Sequence, residues 1–245
     1  MDDEGAPEWA RPRLTDRFAD ADHVTQLAGG RGACRRWDDG RVQCMSVDLT
    51  STRAFAAWRG SSCSVLEDGI VSCSGTARST PPTPFGVADA RAIDLGASSA
   101  CAVTAAGSVW CWGATSPAAS EVTALAGSQE VVLVGEQRCG RLANGTVRCV
   151  AAGPDPGELG LTEVRAIDGA AGHACALVAT PGGGEVHCWG MNDAGVLGGA
   201  PNADAPFVTV PRRIEGLTGA AEVEDGVERR KTKAHVAYRV ESLEA

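Results

Sequence analysis

The residues with the most chemistry to offer are ten cysteines in a chain of 245. They fall into five couples, Cys34/Cys44, Cys63/Cys73, Cys101/Cys111, Cys139/Cys149 and Cys175/Cys188, separated by 10, 10, 10, 10 and 13 positions. Three chemistries compete for such a set. Zinc sites use closely spaced cysteines or a quartet of cysteine and histidine, and the chain has only four histidines. His173, Cys175, His187 and Cys188 crowd into the fifth couple, yet His187 adjoins Cys188 and points to the opposite face of a strand, so the four do not converge. Buried free thiols of a cytosolic protein would leave the regular spacing without a cause. Cystine accounts for it, and the ten cysteines read as five disulfides.

The elements that must position them repeat with the cysteines. A glycine lies four residues before each second cysteine (Gly40, Gly69, Gly107, Gly145, Gly184) and a valine two before it (Val42, Val71, Val109, Val147, Val186). First cysteines are 29, 38, 38 and 36 residues apart, so five copies of one unit follow each other at a period that marks a solenoid, propeller or array. Each copy reads as a β-hairpin. Asp38-Asp39-Gly40, Glu67-Asp68-Gly69, Ala105-Ala106-Gly107 and Ala143-Asn144-Gly145 read as three-residue loops whose last position is left-handed, a conformation glycine adopts without steric cost. Counting back from that loop sets Cys34 opposite Cys44, and the other ten-residue couples likewise. Cross-strand Cβ atoms about 4.5–5.5 Å apart need only modest tightening to reach the roughly 3.5–4.5 Å of a disulfide. The fifth turn, Thr180 to Gly184, reads as longer by three residues with its cysteines still facing. The valines share a sheet face with the cysteines, because side chains alternate along a strand. Opposite them stand Arg36, Val65, Val103, Arg141 and Leu177, so the first and fourth copies, which carry arginine, read as degenerate. Each short loop limits one cystine to about 3 kcal/mol in the chain-entropy account, and five together rival the roughly 5–15 kcal/mol of a whole domain.

Length allows one or two domains with a real core. With 44% hydrophobic and 22% charged residues the chain is globular, and 22 basic against 31 acidic residues give a net charge of −9, which argues against a nucleic-acid or anionic-membrane partner. Thirty-one glycines and 12 prolines with 4% aromatics point to many turns between short strands. No apolar run reaches the length of a membrane span. The sequence carries no P-loop, no nucleophile elbow, no paired-histidine metal helix and no calcium loop, so neither catalysis nor a cofactor or metal is expected.

After the second cysteine, two copies read Cys111-Trp112-Gly113 and Cys188-Trp189-Gly190, and the fifth continues Met191-Asn192-Asp193-Ala194-Gly195-Val196-Leu197-Gly198. The strand before it reads Gly172-His173-Ala174-Cys175-Ala176-Leu177, and the fourth copy keeps Gly157-Glu158-Leu159-Gly160. These segments resemble the repeat of the regulator-of-chromosome-condensation (RCC1) family, whose blades carry Trp-Gly-x-Asn-x-x-Gly-Gln-Leu-Gly. Val196 and Glu158 stand where that family has glutamine, and the first two copies lack the segment. The resemblance covers about residues 24–217, and the cysteine couples resemble the bacterial branch, which includes secreted β-lactamase-inhibitor-type propellers. It implies an all-β fold, a β-propeller of the RCC1 type, with about five recognisable blades here, which either close into a ring of few blades or form an incomplete or truncated one. Trp112, Gly113, Trp189, Gly190, Asn192, Gly195, Leu197 and Gly198 are then blade-signature residues, and the two tryptophans pack blades rather than stack a sugar or base. Trp110 lies between Val109 and Cys111 and faces away from the cystine, toward a neighbouring blade. Phe207-Val208-Thr209-Val210 ahead of Pro211 reads as an added strand. Eighteen residues separate Cys44 from Cys63, against 27, 27 and 25 in the later linkers, so the first blade reads as having lost its extra strands.

Three segments follow from these patterns. Residues 1–23 form a lead segment without a secretory signal pattern, 24–217 the propeller repeats, and 218–245 a charged C-terminal segment or a decayed sixth repeat with a strand at 234–238. Arg229-Arg230-Lys231 reads as a solvated face, and the glycosylation-like Asn144-Gly145-Thr146 is assigned no role. A disulfide framework implies an extracellular or cell-envelope location, whereas reduced thiols would imply the cytoplasm. The leading functional expectation is a non-catalytic scaffold that binds a protein or glycan through propeller loops, without membrane insertion or nucleic acid. The second is a guanine-nucleotide exchange factor for a small GTPase, suggested by the eukaryotic branch, although the cytosol would reduce the cystines. A propeller enzyme is the third, and it would need a perturbed acid or histidine cluster at the channel mouth.

Overall fold

Segments such as Ser99–Thr104 and Val109–Gly113, only six and five residues long between turns, are too short for helices and pair as strands. The structure is a computed structural model and describes residues 24–28, 34–37, 39, 41–43, 48–49, 51–58, 61–75, 86–113, 116–151, 156–170, 172–181, 183–192, 197, 207–218, 220–225 and 236–240. Among the described residues the elements are strands and one 3-10 turn at Thr123–Leu125.

The first blade is β1 (Val24–Ala28), β2 (Cys34–Trp37), β3 (Val42–Gln43) and β4 (Asp48–Leu49). The second is β5 (Thr52–Trp58), β6 (Ser61–Leu66) and β7 (Val71–Gly75). The third is β8 (Ala90–Leu95), β9 (Ser99–Thr104), β10 (Val109–Gly113) and β11 (Ser116–Glu121). The fourth is β12 (Ser128–Val134), β13 (Gln137–Leu142), β14 (Val147–Val150) and β15 (Gly157–Glu158). The fifth is β16 (Val164–Ala170), β17 (His173–Thr180), β18 (Gly183–Met191) and β19 (Phe207–Thr218). A two-stranded sheet, β20 (Ala220–Asp225) and β21 (Val236–Val240), follows. Every sheet is antiparallel with its strands paired in chain order.

The leading strands β1, β5, β8, β12, β16 and β20 each pack against the next, and β20 packs against β1, so six sheets form a closed circuit. All six leading strands carry the same register shift near their start, at Val24/Gln26, Thr52/Ala54, Ala90/Ala92, Ser128/Glu130, Val164/Ala166 and Ala220/Glu222. Such a bulge bends and twists a strand, which is what a blade needs as it leaves the centre of the ring. The two-stranded β20–β21 sheet shares this feature of the blades' leading strands. The fold is an all-β propeller.

Two expectations change. The first blade keeps four strands despite its short linker, because its outermost strand is only the two residues Asp48–Leu49 and β5 begins at Thr52. It is the second blade that shows three strands among the described residues. In the fifth hairpin Thr180 pairs with Gly183 and Ala179 with Gly184, so Gly184 belongs to a strand and not to the turn. A separation of 13 is met by longer strands and a tighter connection.

The core lies between blades. In the second, third and fourth blades the face that carries the cysteines and valines meets the opposite face of the next blade. Cys63, Val65 and Val71 of the second blade pack with Ala100, Ala102 and Trp112 of the third. Cys139, Val147 and Cys149 of the fourth pack with Ala174, Ala176 and Trp189 of the fifth. Trp110 packs against the second-blade cluster. β19 is an edge strand that tolerates Pro211 because the register between β18 and β19 breaks between Cys188↔Arg212 and Gly190↔Val208, where no ladder bond is required of it.

Candidate binding face

Four couples close as disulfides: Cys63–Cys73, Cys101–Cys111, Cys139–Cys149 and Cys175–Cys188, with Cα atoms 4.1, 4.1, 4.0 and 4.0 Å apart. Each joins residues directly opposite in the ladder, so the bond locks the two central strands of its blade. Cys44 and Gly40 lie outside the described residues, and with them the Cys34/Cys44 couple. Cys175 and Cys188 are bonded to each other and His187 is paired across the strand with Ala176, so no zinc quartet forms there.

The latched hairpins end in turns that share one end of the ring. Gly69, Gly107 and Gly145 have φ of +80°, +84° and +78°, each closing a three-residue loop. The residue before each glycine sets the turn by accepting a backbone N–H two positions on. Asp39 Oδ1 takes it from Arg41, Asp68 Oδ1 from Ile70 and Asn144 Oδ1 from Thr146, at 3.0, 3.0 and 3.1 Å. The third turn has Ala106 there, and Thr104 Oγ1 accepts from Ser108 N–H instead. Asp39 is held below the usual carboxylate range, first by the Arg41 N–H and then by its guanidinium. That guanidinium also lies 4.9 Å from the centre of the Trp37 ring.

Each turn then docks on the next blade. Gly69 O accepts from Ala90 N–H, Gly107 O from Gly127 N–H and Gly145 O from Val164 N–H, at 3.0, 2.9 and 2.9 Å. Gly127 and the residues just before the other two donors, Asp89 and Glu163, are themselves left-handed, with φ of +84°, +51° and +58°. A Cβ on Gly69 would come 2.7 Å from Asp89 Cα, so this glycine serves the seam as well as the turn. The outward groups at this end include the exposed Asp39, Glu67, Asp68, Asp89 and Glu163, interrupted by Ile70 and the uncharged third and fourth turns.

Carboxylates bind the seams nearer the axis. Asp94 Oδ2 accepts from Leu133 N–H of the next blade at 2.6 Å, and Oδ1 from Leu95 N–H at 2.8 Å. Glu130 Oε2 accepts from Ile167 N–H at 2.8 Å while the Arg141 guanidinium grips both its oxygens at 2.9 and 3.0 Å. Arg141, read as a mark of degeneracy, is therefore a neutralised seam residue. Arg91 donates to Ser128 O at 2.8 Å across the same pair of blades as Asp94. Sequence reading missed this belt. Its signal was the tetrapeptide Arg-Ala-Ile-Asp, present at both 91–94 and 165–168.

The signature residues are structural. Trp112 and Trp189 are 3% and 0% exposed, leaving no ring face for a ligand. Gly113 and Gly190 lie tight against the preceding strand, where a Cβ would meet Ser98 O at 2.9 Å or Gly172 O at 2.5 Å. Asn192 Oδ1 accepts from Leu197 N–H at 3.0 Å, which tucks Leu197 into the fifth-blade cluster with Cys175 and Cys188. Gly195 and Gly198 lie outside the described residues. No group of metal-ligating side chains and no helix long and apolar enough to cross a membrane occurs among the described residues.

No family model matches the chain, and no curated protein matches it in sequence. Solved structures do match in fold. Human WBSCR16 superposes with a TM-score of 0.62 at 18% identity, covering 89% of this chain and 72% of that one. Prp20p from Saccharomyces cerevisiae, described with its binding to Gsp1p and histones, gives 0.58 at 14% identity over 78% of this chain. Yeast RCC1 (Prp20) bound to Kap60 gives 0.57 at 13% identity. The chain spans 63% and 61% of those two yeast chains, less than two thirds. These likenesses establish the RCC1-type propeller fold.

Proposed function

We propose that this protein is a non-catalytic binding scaffold that works outside the cytoplasm and takes a protein or glycan partner on its propeller loops. The observation that carries the reading is the row of turns on latched hairpins. Four cystines fix the blades, while the side chains of Glu67 and Asp68 in a turn and of Asp89 and Glu163 beside the seams stay exposed. Rigid strands presenting variable loops suit recognition, and a disulfide framework suits an oxidising compartment. Binding and blocking a secreted enzyme, as the resemblance to inhibitor-type propellers suggests, is one form of this activity. The test is capture of a partner from the native host's envelope fraction by the parent and by a Glu67→Gln, Asp68→Asn, Asp89→Asn, Glu163→Gln variant. The Asp68→Asn change keeps a side-chain oxygen as the turn acceptor. A partner retained at least tenfold less by the variant is the expected result, and equal retention would reject the turn face.

A second reading, exchange-factor activity on a small GTPase, draws on the likeness in fold to Prp20p, whose description includes Gsp1p binding. It predicts faster nucleotide release from a Gsp1p-type GTPase. Release at the intrinsic rate discards it.

A further inference from the structure

Arg138 and Arg148 occupy places that other blades give to small or aromatic residues. Beside the first cysteine, Arg138 stands where the second, third and fifth blades have Ser62, Ala100 and Ala174. Beside the second, Arg148 stands where they have Ser72, Trp110 and His187. The fold therefore does not require arginine at either position. Arg138 pairs with Val150 and Gly140 with Arg148 across β13 and β14, which puts both arginines on one sheet face as diagonal neighbours, about 7–8 Å apart or somewhat less between Cβ atoms. That face is turned to the third blade, because Val131, Leu133 and Val150 of the same face pack with Cys101, Val103, Val109 and Cys111.

Both Nε atoms are buried and unpartnered, and neither guanidinium finds a hydrogen-bond or ion-pair partner among the described residues. Arginine cannot shed its proton to relieve this burial. Glu158, the Cα partner of Arg148 on β15, is exposed and forms no ion pair with it, and the wall facing the pair includes the apolar Val103 and Val109. Two positive forks over an apolar wall, in a chain of net charge −9, form a local reversal of sign. Guanidinium forks match the paired oxygens of an oxyanion, and the apolar wall strengthens that attraction.

We propose that Arg138 and Arg148 form an oxyanion-binding site in the crevice between the third and fourth blades. Its occupant is either a small free oxyanion or an acidic side chain presented by a protein, and the chemistry of capture is the same. The test uses the oxidised full chain and its Arg138→Gln and Arg148→Gln variants, followed by thermal unfolding in inorganic phosphate, in an oligoglutamate peptide, and in chloride at matched ionic strength. A saturable rise of several degrees in the parent with phosphate alone identifies the free anion, and a rise with the peptide identifies the side chain. Either rise should vanish in both variants. Protection of Arg138 and Arg148 from phenylglyoxal by the effective anion, mapped by mass spectrometry on the parent, provides a readout that does not depend on the variants folding. No response to either anion beyond chloride, equal responses in the variants, or unprotected arginines would overturn the site.

Discussion

Burial pushes the Asp94 carboxyl up from 3.8 to about 6, against two backbone N–H groups, those of Leu133 and Leu95, that pull it down. A carboxyl raised on folding contributes stability that is fully present below pH 3.8 and is lost as pH rises through 6. The difference amounts to on the order of 3 kcal/mol. Urea unfolding from pH 4 to 7.5 should show that loss in the parent and not in Asp94→Asn, whereas parallel curves would contradict the assignment. The exposed Asp39 shifts the other way, so its small effect fades as pH falls. Glycines divide as sharply. A Cβ on Gly190, at φ +107°, would meet Gly172 O, His173 Cα and Val134 Cγ1 at 2.5, 2.6 and 2.8 Å, while one on Gly135, at φ +63°, meets nothing within 4 Å. Gly190→Ala should cost about 4 kcal/mol or more, and Gly135→Ala only the roughly 1–2 kcal/mol of a left-handed backbone. Comparable midpoints for the two would refute the crowding at Gly190.

At the level of strands and seams, Glu130 serves two partners at once. Glu130→Gln removes its charge and leaves the Arg141 guanidinium or the Ile167 N–H short of an acceptor, so a loss of about 1–3 kcal/mol is expected from chemical denaturation. An unchanged midpoint would show the seam to be solvated. The cystines differ in cover. Cys73 is only partly buried, whereas the cysteines of the other three described bridges are buried. Graded reduction with alkylation and peptide mapping should open Cys63–Cys73 first, and a different order would deny that cover controls access. How far these elements could be read in advance depended on parity. A hairpin separation of 10 with a glycine before the return strand fixes which residues face, and strand alternation then fixes which face is apolar, so Val65 opposite Val71 and Cys101 opposite Cys111 were legible. A separation of 13 fixes only that the loop is even in length, which is why the tight connection after Thr180 escaped reading. The carboxylate belt escaped because Asp94 and Glu130 act across blades, where no local spacing reports them.

For the whole molecule, the β20–β21 sheet is the least legible part. Its strands lack the cysteine and valine markers, and only the bulge at Ala220/Glu222 and the packing of β20 between β16 and β1 reveal its place. A ring whose blades meet chiefly through cysteine faces should depend on oxidation as a unit. Each described bridge contributes up to about 3 kcal/mol, and four exceed much of the roughly 5–15 kcal/mol available to a domain. Thermal unfolding under dithiothreitol should therefore lose its cooperative transition or drop by more than about 10 °C. A reduced protein that melts like the oxidised one would place the stability elsewhere. The locality of the bridges has a different bearing on how the protein is made. Eight cysteines admit 105 connectivities, yet every described bond joins a cysteine to the next one along the chain, across no more than 13 residues. For the described bridges nearest-neighbour pairing is thus already the native connectivity, and in an oxidising environment each of these modules can close on its own without help from a shuffling catalyst.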